Sequence, residues 1–144
     1  MATIAGLEKN KQIARRFPEE IATEGNIALI DEYCAADIID HSPFGDVEGR
    51  DAVKKQIEEL RTAWADFSAT VEEVIAEGDM VAMRVTLRGT HEGAFMGLEP
   101  TGKRFEVQNM VFTRIKDGKI AERWVQPDTL GMMQQLGVVD LPTE

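Results

Sequence analysis

Few side chains of this chain are suited to moving protons, and His41 is the first of them. An imidazole has an unperturbed pKa near neutrality, so it can serve as a general acid or a general base. The alternative is a structural histidine that Asp40 or a loop carbonyl holds in place. A Cys/His metal site or an internal disulfide is not expected, because Cys34 is the single cysteine and His91 is the only other histidine.

Asp128 is the second candidate for acid/base chemistry, because it follows Pro127 at the end of the last predicted strand. It also precedes a short apolar segment that runs from Leu130 to Leu136, and aspartate is a preferred residue at a helix N-cap. A capping hydrogen bond would lower the pKa of this carboxyl by stabilising its charged form. The sequence leaves both interpretations open.

Helical periodicity in the first half predicts the elements that position these groups. Pro18 cannot donate a hydrogen bond to the carbonyl of Ala14, so the first helix should kink or restart there. A short second helix should follow Gly25 and Asn26. The third helix is the clearest, because its apolar residues step by four, three and four along one stripe. These residues are Val53, Ile57, Leu60 and Trp64.

The period of hydrophobicity changes to two after Phe67, which is typical of strands. One hairpin is predicted around the segment AEGD, and a second turns at Lys116, Asp117 and Gly118. Asp128 then opens a short terminal helix. Helices followed by a run of antiparallel strands predict an α+β fold class, in a single domain over residues 1–144.

Short motifs along nearly the whole chain resemble those of the SnoaL-like polyketide cyclase family. They are NKQIARRF, EGNIALIDEY, DHSP, GRDAVKKQIEELR, GTHEGAFMG, PTGKRF, RIKDGKI and QQLG. The resemblance implies a nuclear-transport-factor-like cone. In that fold a strongly curved, mostly antiparallel sheet wraps around three N-terminal helices and encloses an apolar pocket, and a short C-terminal helix follows.

The same resemblance implies a cofactor-free ring closure, an intramolecular aldol condensation of a small polycyclic or polyketide-derived carbonyl compound. A glutamine and a histidine of the family's cyclases correspond to Asn109 and Val111 here, and their catalytic aspartate corresponds to Val125. His41 and Asp128 therefore stand as the candidate catalytic residues.

The pocket wall should be formed by apolar side chains with a few polar groups among them. Asn109 and Arg123 are expected to orient substrate oxygen atoms, with Arg123 able to pair with a carboxylate instead. The remaining residues expected to bind substrate are Phe17, Trp64, Met83, Val111 and Val125.

The register of the second hairpin decides which residues of these two strands face the pocket. A two-residue turn would set Asn109 opposite Gln126, whereas a three-residue turn would set it opposite Val125. The family's pattern favours the longer turn, so that Asn109, Val111, Arg123 and Val125 share the inner face.

The outer face of the same strands would then carry Met110, Phe112 and Trp124. An apolar surface of that size is unfavourable in water, so a homodimer or homotetramer packed through the sheet is expected.

Charge and length limit the other partners. The chain has 144 residues and a formal net charge of −10, which disfavours binding to nucleic acid or to an anionic membrane. No stretch is long and apolar enough to span a bilayer, and the amino terminus lacks a secretory pattern, so a cytoplasmic location is expected.

Three functions fit the sequence: a cyclase, a ketosteroid-isomerase-like isomerase or epoxide-opening hydrolase, and a non-catalytic protein that binds a small apolar ligand.

Overall fold

The computed structural model describes residues 3–140 and 142, and it begins with a long helix. Helix α1 spans Ile4–Arg16, and the hydroxyl of Thr3 caps it by accepting from the N–H of Gly6 at 2.9 Å. The helix does not stop at Pro18 but widens into a π-helical segment, Phe17–Thr23. The predicted disturbance at Pro18 is therefore confirmed, and it takes the form of a π-helical turn.

Two further helices complete the N-terminal half. Helix α2 spans Leu29–Tyr33 and helix α3 spans Arg50–Ala63. Val53 and Ile57 of α3 are buried, as the spacing of its apolar residues predicts. Between α2 and α3 the chain forms strands β1, Cys34–Ser42, and β2, Gly45–Glu48.

Four longer strands and a short helix make up the second half. The strands are β3, Ser68–Glu77, β4, Met80–Thr90, β5, Arg104–Lys116, and β6, Lys119–Pro127. Helix α4 spans Thr129–Gln135. The six strands form one sheet in the order β2-β1-β6-β5-β4-β3. All neighbours are antiparallel except β1 and β6, which run parallel, so the predicted α+β class with a mostly antiparallel sheet is confirmed.

The β5–β6 hairpin has neither of the two registers considered from the sequence. Asp117 and Gly118 form a two-residue turn with positive φ angles of 52° and 75°, the left-handed conformation that a type I′ turn requires. An irregularity then shifts the pairing between Arg114 and Ile115, so that Val111 lies opposite Val125 and Asn109 opposite Pro127. A bulge of this kind adds one residue to one strand, and here the extra residue is Ala121.

The core lies between the helices and one face of the sheet. On β5 the burial alternates strictly, with Phe105, Val107, Asn109, Val111 and Thr113 inside. Opposite them pack apolar residues of the helices, among which Ile21, Ile30 and Val53 are fully buried. In the described part of the chain, no helix combines the length and the apolar character that crossing a bilayer requires.

Candidate functional site

A cavity of about 430 Å³ opens between the inner face of the sheet and the helices. Its wall is mainly apolar, and it draws on every layer of the fold. The helices contribute Phe17, Pro18, Ala22, Ile57, Leu60 and Ala63, and the sheet contributes Val85, Leu87, Phe105, Val111 and Val125. The volume is in the range of pockets that bind small organic molecules.

Of the polar side chains in this wall, three are buried. Asp40 comes from β1, Asn109 from β5 and Arg123 from β6. Asp40 and Arg123 are paired in the parallel register of β1 and β6, so their side chains leave the sheet on the same face. The Nη1 of Arg123 donates a hydrogen bond to Oδ2 of Asp40 at 2.8 Å. The pair is only 7% and 3% exposed at its side chains, which makes it a buried ion pair.

This polar group has unused hydrogen-bonding capacity. The Oδ1 of Asp40, the Oδ1 of Asn109 and the Nε of Arg123 are buried and have no partner among the described residues. A buried polar atom without a partner costs free energy, so such atoms usually meet a water or a ligand. Two acceptors and one donor without partners therefore belong to residues that line a mainly apolar cavity.

Burial raises the pKa of the Asp40 carboxyl, and the attraction of Arg123 offsets this effect only in part. A carboxyl in such surroundings is a better proton acceptor than one in water, because its charged form has lost hydration. A perturbed pKa in a cleft beside a specific charged partner is a common property of acid/base sites.

Cys34 offers no comparable chemistry. Its thiol is buried, and burial raises its pKa to about 11. The nucleophilic thiolate is therefore scarce at neutral pH. Within residues 3–140 and 142, no cluster of three His, Cys, Asp or Glu side chains is arranged to hold a metal ion.

The structure does not bring His41 into the cavity, contrary to its predicted catalytic position. Successive side chains of a strand point to opposite faces, and Asp40 takes the inner face at this point of β1. The His41 ring lies on the outer face, where Nε2 is 2.6 Å from Oε2 of Glu122 and Nδ1 is 3.0 Å from Oδ1 of Asp46. The residue is held between two carboxylates.

Asp128 also lies outside the cavity wall. Its Oδ1 accepts a hydrogen bond from the N–H of Gly131 at 2.9 Å, and Asp128 is the N-cap of α4. Of its two interpretations, the structure shows the cap. The bond is available because the chain turns into α4 directly after Pro127, which leaves first-turn N–H groups without partners.

Most of the predicted pocket residues do lie on the cavity wall. These are Phe17, Trp64, Asn109, Val111, Arg123 and Val125. Met83 is the exception, because it is buried on β4 in the core and is not part of the wall. Contact of any of these residues with a substrate stays a prediction.

Asp40 is a site residue that the sequence pattern does not reveal. The strand DIIDHS contains two adjacent isoleucines, Ile38 and Ile39, so alternation alone does not tell which of them points inward. The structure buries Ile38 completely and leaves Ile39 partly exposed. Asp40, two residues after Ile38, shares its face.

The rim of the cavity is aromatic. Phe44 in the β1–β2 turn meets Phe95 in the β4–β5 loop, edge to face, with ring centroids 5.5 Å apart. Phe95 packs in turn on Trp64, at 5.0 Å between centroids. Phe44 and the neighbouring Met96 are exposed, which places this part of the wall at the surface. Glu59 of α3 is the exposed carboxylate of the same rim.

Comparison with known proteins connects this geometry to one family. The model of the family described as SnoaL-like polyketide cyclase matches residues 12–136. The aklanonic acid methyl ester cyclase DauD of Streptomyces sp. (strain C5) is 32% identical over 111 residues, which cover 76% of this chain and 67% of that protein. The nogalonic acid methyl ester cyclase of Streptomyces nogalater is 32% identical over 112 residues, which cover 75% and 83%.

A solved structure supports the fold assignment. The crystal structure of wild-type IdmH from Streptomyces antibioticus superposes with a TM-score of 0.78 at 31% identity. The superposition covers 90% of this chain and 99% of IdmH. The similarity therefore extends over nearly the entire fold.

Proposed function

Because this chain belongs to the SnoaL-like polyketide cyclase family, we propose that it closes a ring in a polyketide-derived ester by an intramolecular aldol condensation. The observation that carries the proposal is the buried carboxylate of Asp40, which lines the mainly apolar cavity and has one oxygen without a hydrogen-bond partner among the described residues. Such a reaction needs a base for a carbon acid, donors for an enolate oxygen and a site that brings the two ends of the substrate together.

Asp40 acts as the acid/base in this proposal. Its free Oδ1 takes a proton from the activated carbon between two carbonyl groups of the substrate, which leaves an enolate. The enolate carbon attacks a second carbonyl of the same molecule, forming the new carbon–carbon bond. The resulting alkoxide takes the proton back from Asp40, so the carboxylate is restored without any external reagent. The raised pKa of Asp40 suits both directions of transfer.

Arg123 and Asn109 provide the electrostatic part of the mechanism. The Nε of Arg123 has an N–H without a partner in the described chain, and the amide of Asn109 lies in the same cavity wall. Donors held in place before the reaction stabilise a developing oxyanion at little reorganisation cost. A carbonyl oxygen directed toward Arg123 would therefore gain stabilisation as it becomes the enolate oxygen.

The position of the base differs from the one that the family's pattern would supply. Val111 and Val125, which correspond to the catalytic histidine and aspartate positions, are cavity-lining valines that pair across β5 and β6. Asp40 lies on the neighbouring strand β1, next to Arg123. We infer that a carboxylate on an adjacent strand takes over the proton transfer, while the valines shape the apolar part of the cavity.

The volume and polarity of the cavity support a small, largely apolar substrate. Aromatic and aliphatic side chains dominate the wall, and the charged groups are confined to the Asp40–Arg123 pair and the rim residue Glu59. The esters named for the relatives DauD and the Streptomyces nogalater cyclase are therefore suitable first substrates to test.

Asp40→Asn tests the proposal, because it keeps the shape of the side chain and removes its basicity. We expect turnover of aklanonic acid methyl ester to fall by about a hundredfold or more, while the affinity for the ester changes by less than about threefold. Asp37→Asn is the matched control, since Asp37 is exposed on the same strand. Circular dichroism checks folding, because loss of the Asp40 charge leaves Arg123 buried without its counter-ion.

Two results would contradict the proposal in different ways. Full activity of Asp40→Asn would show that another group moves the proton. Tight binding of esters by the wild-type protein without any turnover would favour the alternative function, a protein that binds a small apolar ligand.

A further inference from the structure

The segment that carries Phe17 departs from ordinary helical geometry. Residues Phe17–Thr23 form a π-helical turn, a rare conformation that is frequent at functional sites. Its C-terminal end is fixed by two side chains. The hydroxyl of Thr23 donates to the carbonyl of Pro18 at 2.7 Å, and Nη1 of Arg61 donates to the carbonyl of Thr23 at 2.6 Å. The segment is thus anchored to α3 on one side and meets the cavity on the other.

Phe17 covers one face of the Arg123 guanidinium. The Cζ atom of Arg123 lies 3.6 Å from the centroid of the Phe17 ring, which is close packing of a cation on an aromatic face. Both side chains are buried, Phe17 at 3% and Arg123 at 6% exposure. A guanidinium is planar, so a ring against its face limits rotation about the last bonds of the arginine side chain.

The contact with Phe17 leaves the edges of the guanidinium for hydrogen bonds. One edge position, Nη1, donates to Asp40, whereas Nε has no partner in the described part of the chain. Arg123 therefore has three distinct surroundings: a ring on its face, a carboxylate at one N–H and the unsatisfied Nε–H. The orientation of all three depends on the plane of the guanidinium.

We propose that Phe17 is a positioning residue, which holds the guanidinium of Arg123 in the plane that pairs it with Asp40 and leaves Nε–H free for a substrate oxygen. This inference rests on the proposed roles of Asp40 and Arg123 in ring closure. It assigns the π-helical turn a purpose, since the turn delivers the Phe17 ring to the cavity wall beside β6. A residue that only filled space in the wall would have no particular relation to Arg123.

A double-mutant cycle on turnover distinguishes a Phe17 that positions Arg123 from a Phe17 that only fills space in the wall. Phe17→Leu removes the ring, and Arg123→Lys keeps the positive charge but lacks the planar face. We expect Phe17→Leu to lower kcat about tenfold in the wild-type background, with KM within about threefold, and to lower it less than about twofold when Arg123 is already lysine. An equal loss in both backgrounds would mean that Phe17 merely fills the wall, and it would overturn the proposal.

A second measurement does not depend on turnover, so it keeps this inference distinguishable from the proposed function. Carbon-13 NMR of the Asp40 carboxyl follows its titration in wild type, in Phe17→Leu and in Phe105→Leu. Phe105 is the matched control, because it lies in the same cavity wall but packs on Trp64, with ring centroids 4.9 Å apart. Circular dichroism confirms that each variant is folded.

Burial raises the pKa of Asp40 and the charge of Arg123 opposes this rise, so the expected result depends on how firmly Arg123 is held. A guanidinium freed by Phe17→Leu stabilises the carboxylate less, so the titration midpoint of Asp40 should rise by about half a unit or more, and Phe105→Leu should leave it in place. A midpoint that is unchanged or lower in Phe17→Leu overturns the positioning role, whatever the outcome for Asp40→Asn. Turnover that survives Asp40→Asn, together with a raised midpoint in Phe17→Leu, would reject the proposed acid/base and retain the positioning of Arg123.

Discussion

The imidazole of His41 is stacked on the indole of Trp124, with ring centroids 5.4 Å apart and an angle of 20° between the planes. Arg114 covers the same indole, with its Cζ 5.1 Å from the ring centroid, and donates to Glu122 at 2.8 Å. The outer face of the sheet thus carries a cluster in which an imidazole and a guanidinium contact one indole, and Glu122 bonds to both of them.

Stability should depend on pH through this cluster. The hydrogen bond to Glu122, followed by the one to Asp46, raises the pKa of His41 above its ordinary value of 6.5. A raised folded-state pKa means that the protonated histidine stabilises the fold fully below the unfolded value, and that this stabilisation is lost as pH rises through the folded value. The advantage of wild type over His41→Asn in the free energy of unfolding should therefore be larger at about pH 6 than at about pH 9.

Urea denaturation of the two proteins at both pH values measures this difference. Glu122→Gln is the matched control, because it keeps the size of the side chain and removes the carboxylate nearest to His41. The pH dependence should be smaller in that variant. An advantage of wild type that grows with pH would contradict a raised pKa of His41 in this cluster.

Removal of the α4 cap should affect stability and leave the chemistry unchanged. Asp128→Ala loses the hydrogen bond from the N–H of Gly131, and a lost N-cap costs about 1 kcal/mol of stability. Asp128→Asn retains a capping oxygen, so its stability should stay close to that of wild type. Urea denaturation gives the stabilities, and ester turnover gives the activities. A hundredfold loss of kcat in both variants would instead assign Asp128 a role in catalysis.

The apolar outer face of the sheet predicts self-association. Ile75, Met110 and Phe112 are 69%, 52% and 56% exposed, and they lie together on β3 and β5. We expect a homodimer or homotetramer at micromolar concentration and a monomer for Phe112→Lys, because a lysine in the interface would lose its hydration. Sedimentation velocity measures both. Ile4→Lys changes an even more exposed apolar residue, on α1, and should leave the assembly intact. A wild-type protein that is monomeric at this concentration would show that this surface is not a subunit interface.

The sequence predicts which side chains of β5 and β6 face the cavity, although it does not predict the register of the hairpin. A strand alternates with a period of two, so a register shifted by two residues leaves every side chain on its own face. The structure pairs Asn109 with Pro127 and not with Val125, yet Asn109, Val111, Arg123 and Val125 all face inward as expected. The bulge residue is Ala121, and no property of an alanine side chain predicts a bulge at this position.

The identity of the carboxylate in the cavity was not predictable, for two physical reasons. Because Ile38 and Ile39 are adjacent, the sequence does not tell which residues of β1 face the core. The pairing of β1 with β6 is also a long-range contact that no local pattern encodes. The sequence favours His41, because the ordinary pKa of an imidazole lies near neutrality. In the fold, burial raises the pKa of Asp40, and the burial of this residue depends on tertiary structure.

The contact between Phe44 and Phe95 joins two surface segments at the rim of the chamber. These two rings come from turns far apart in the sequence, and no hydrogen bond of the described residues joins them. A ligand that enters and leaves between these two rings would have to separate two surface loops each time. The rate of ligand exchange by this route would then be set by loop motion, which is slower than the collision of a small molecule with the protein surface.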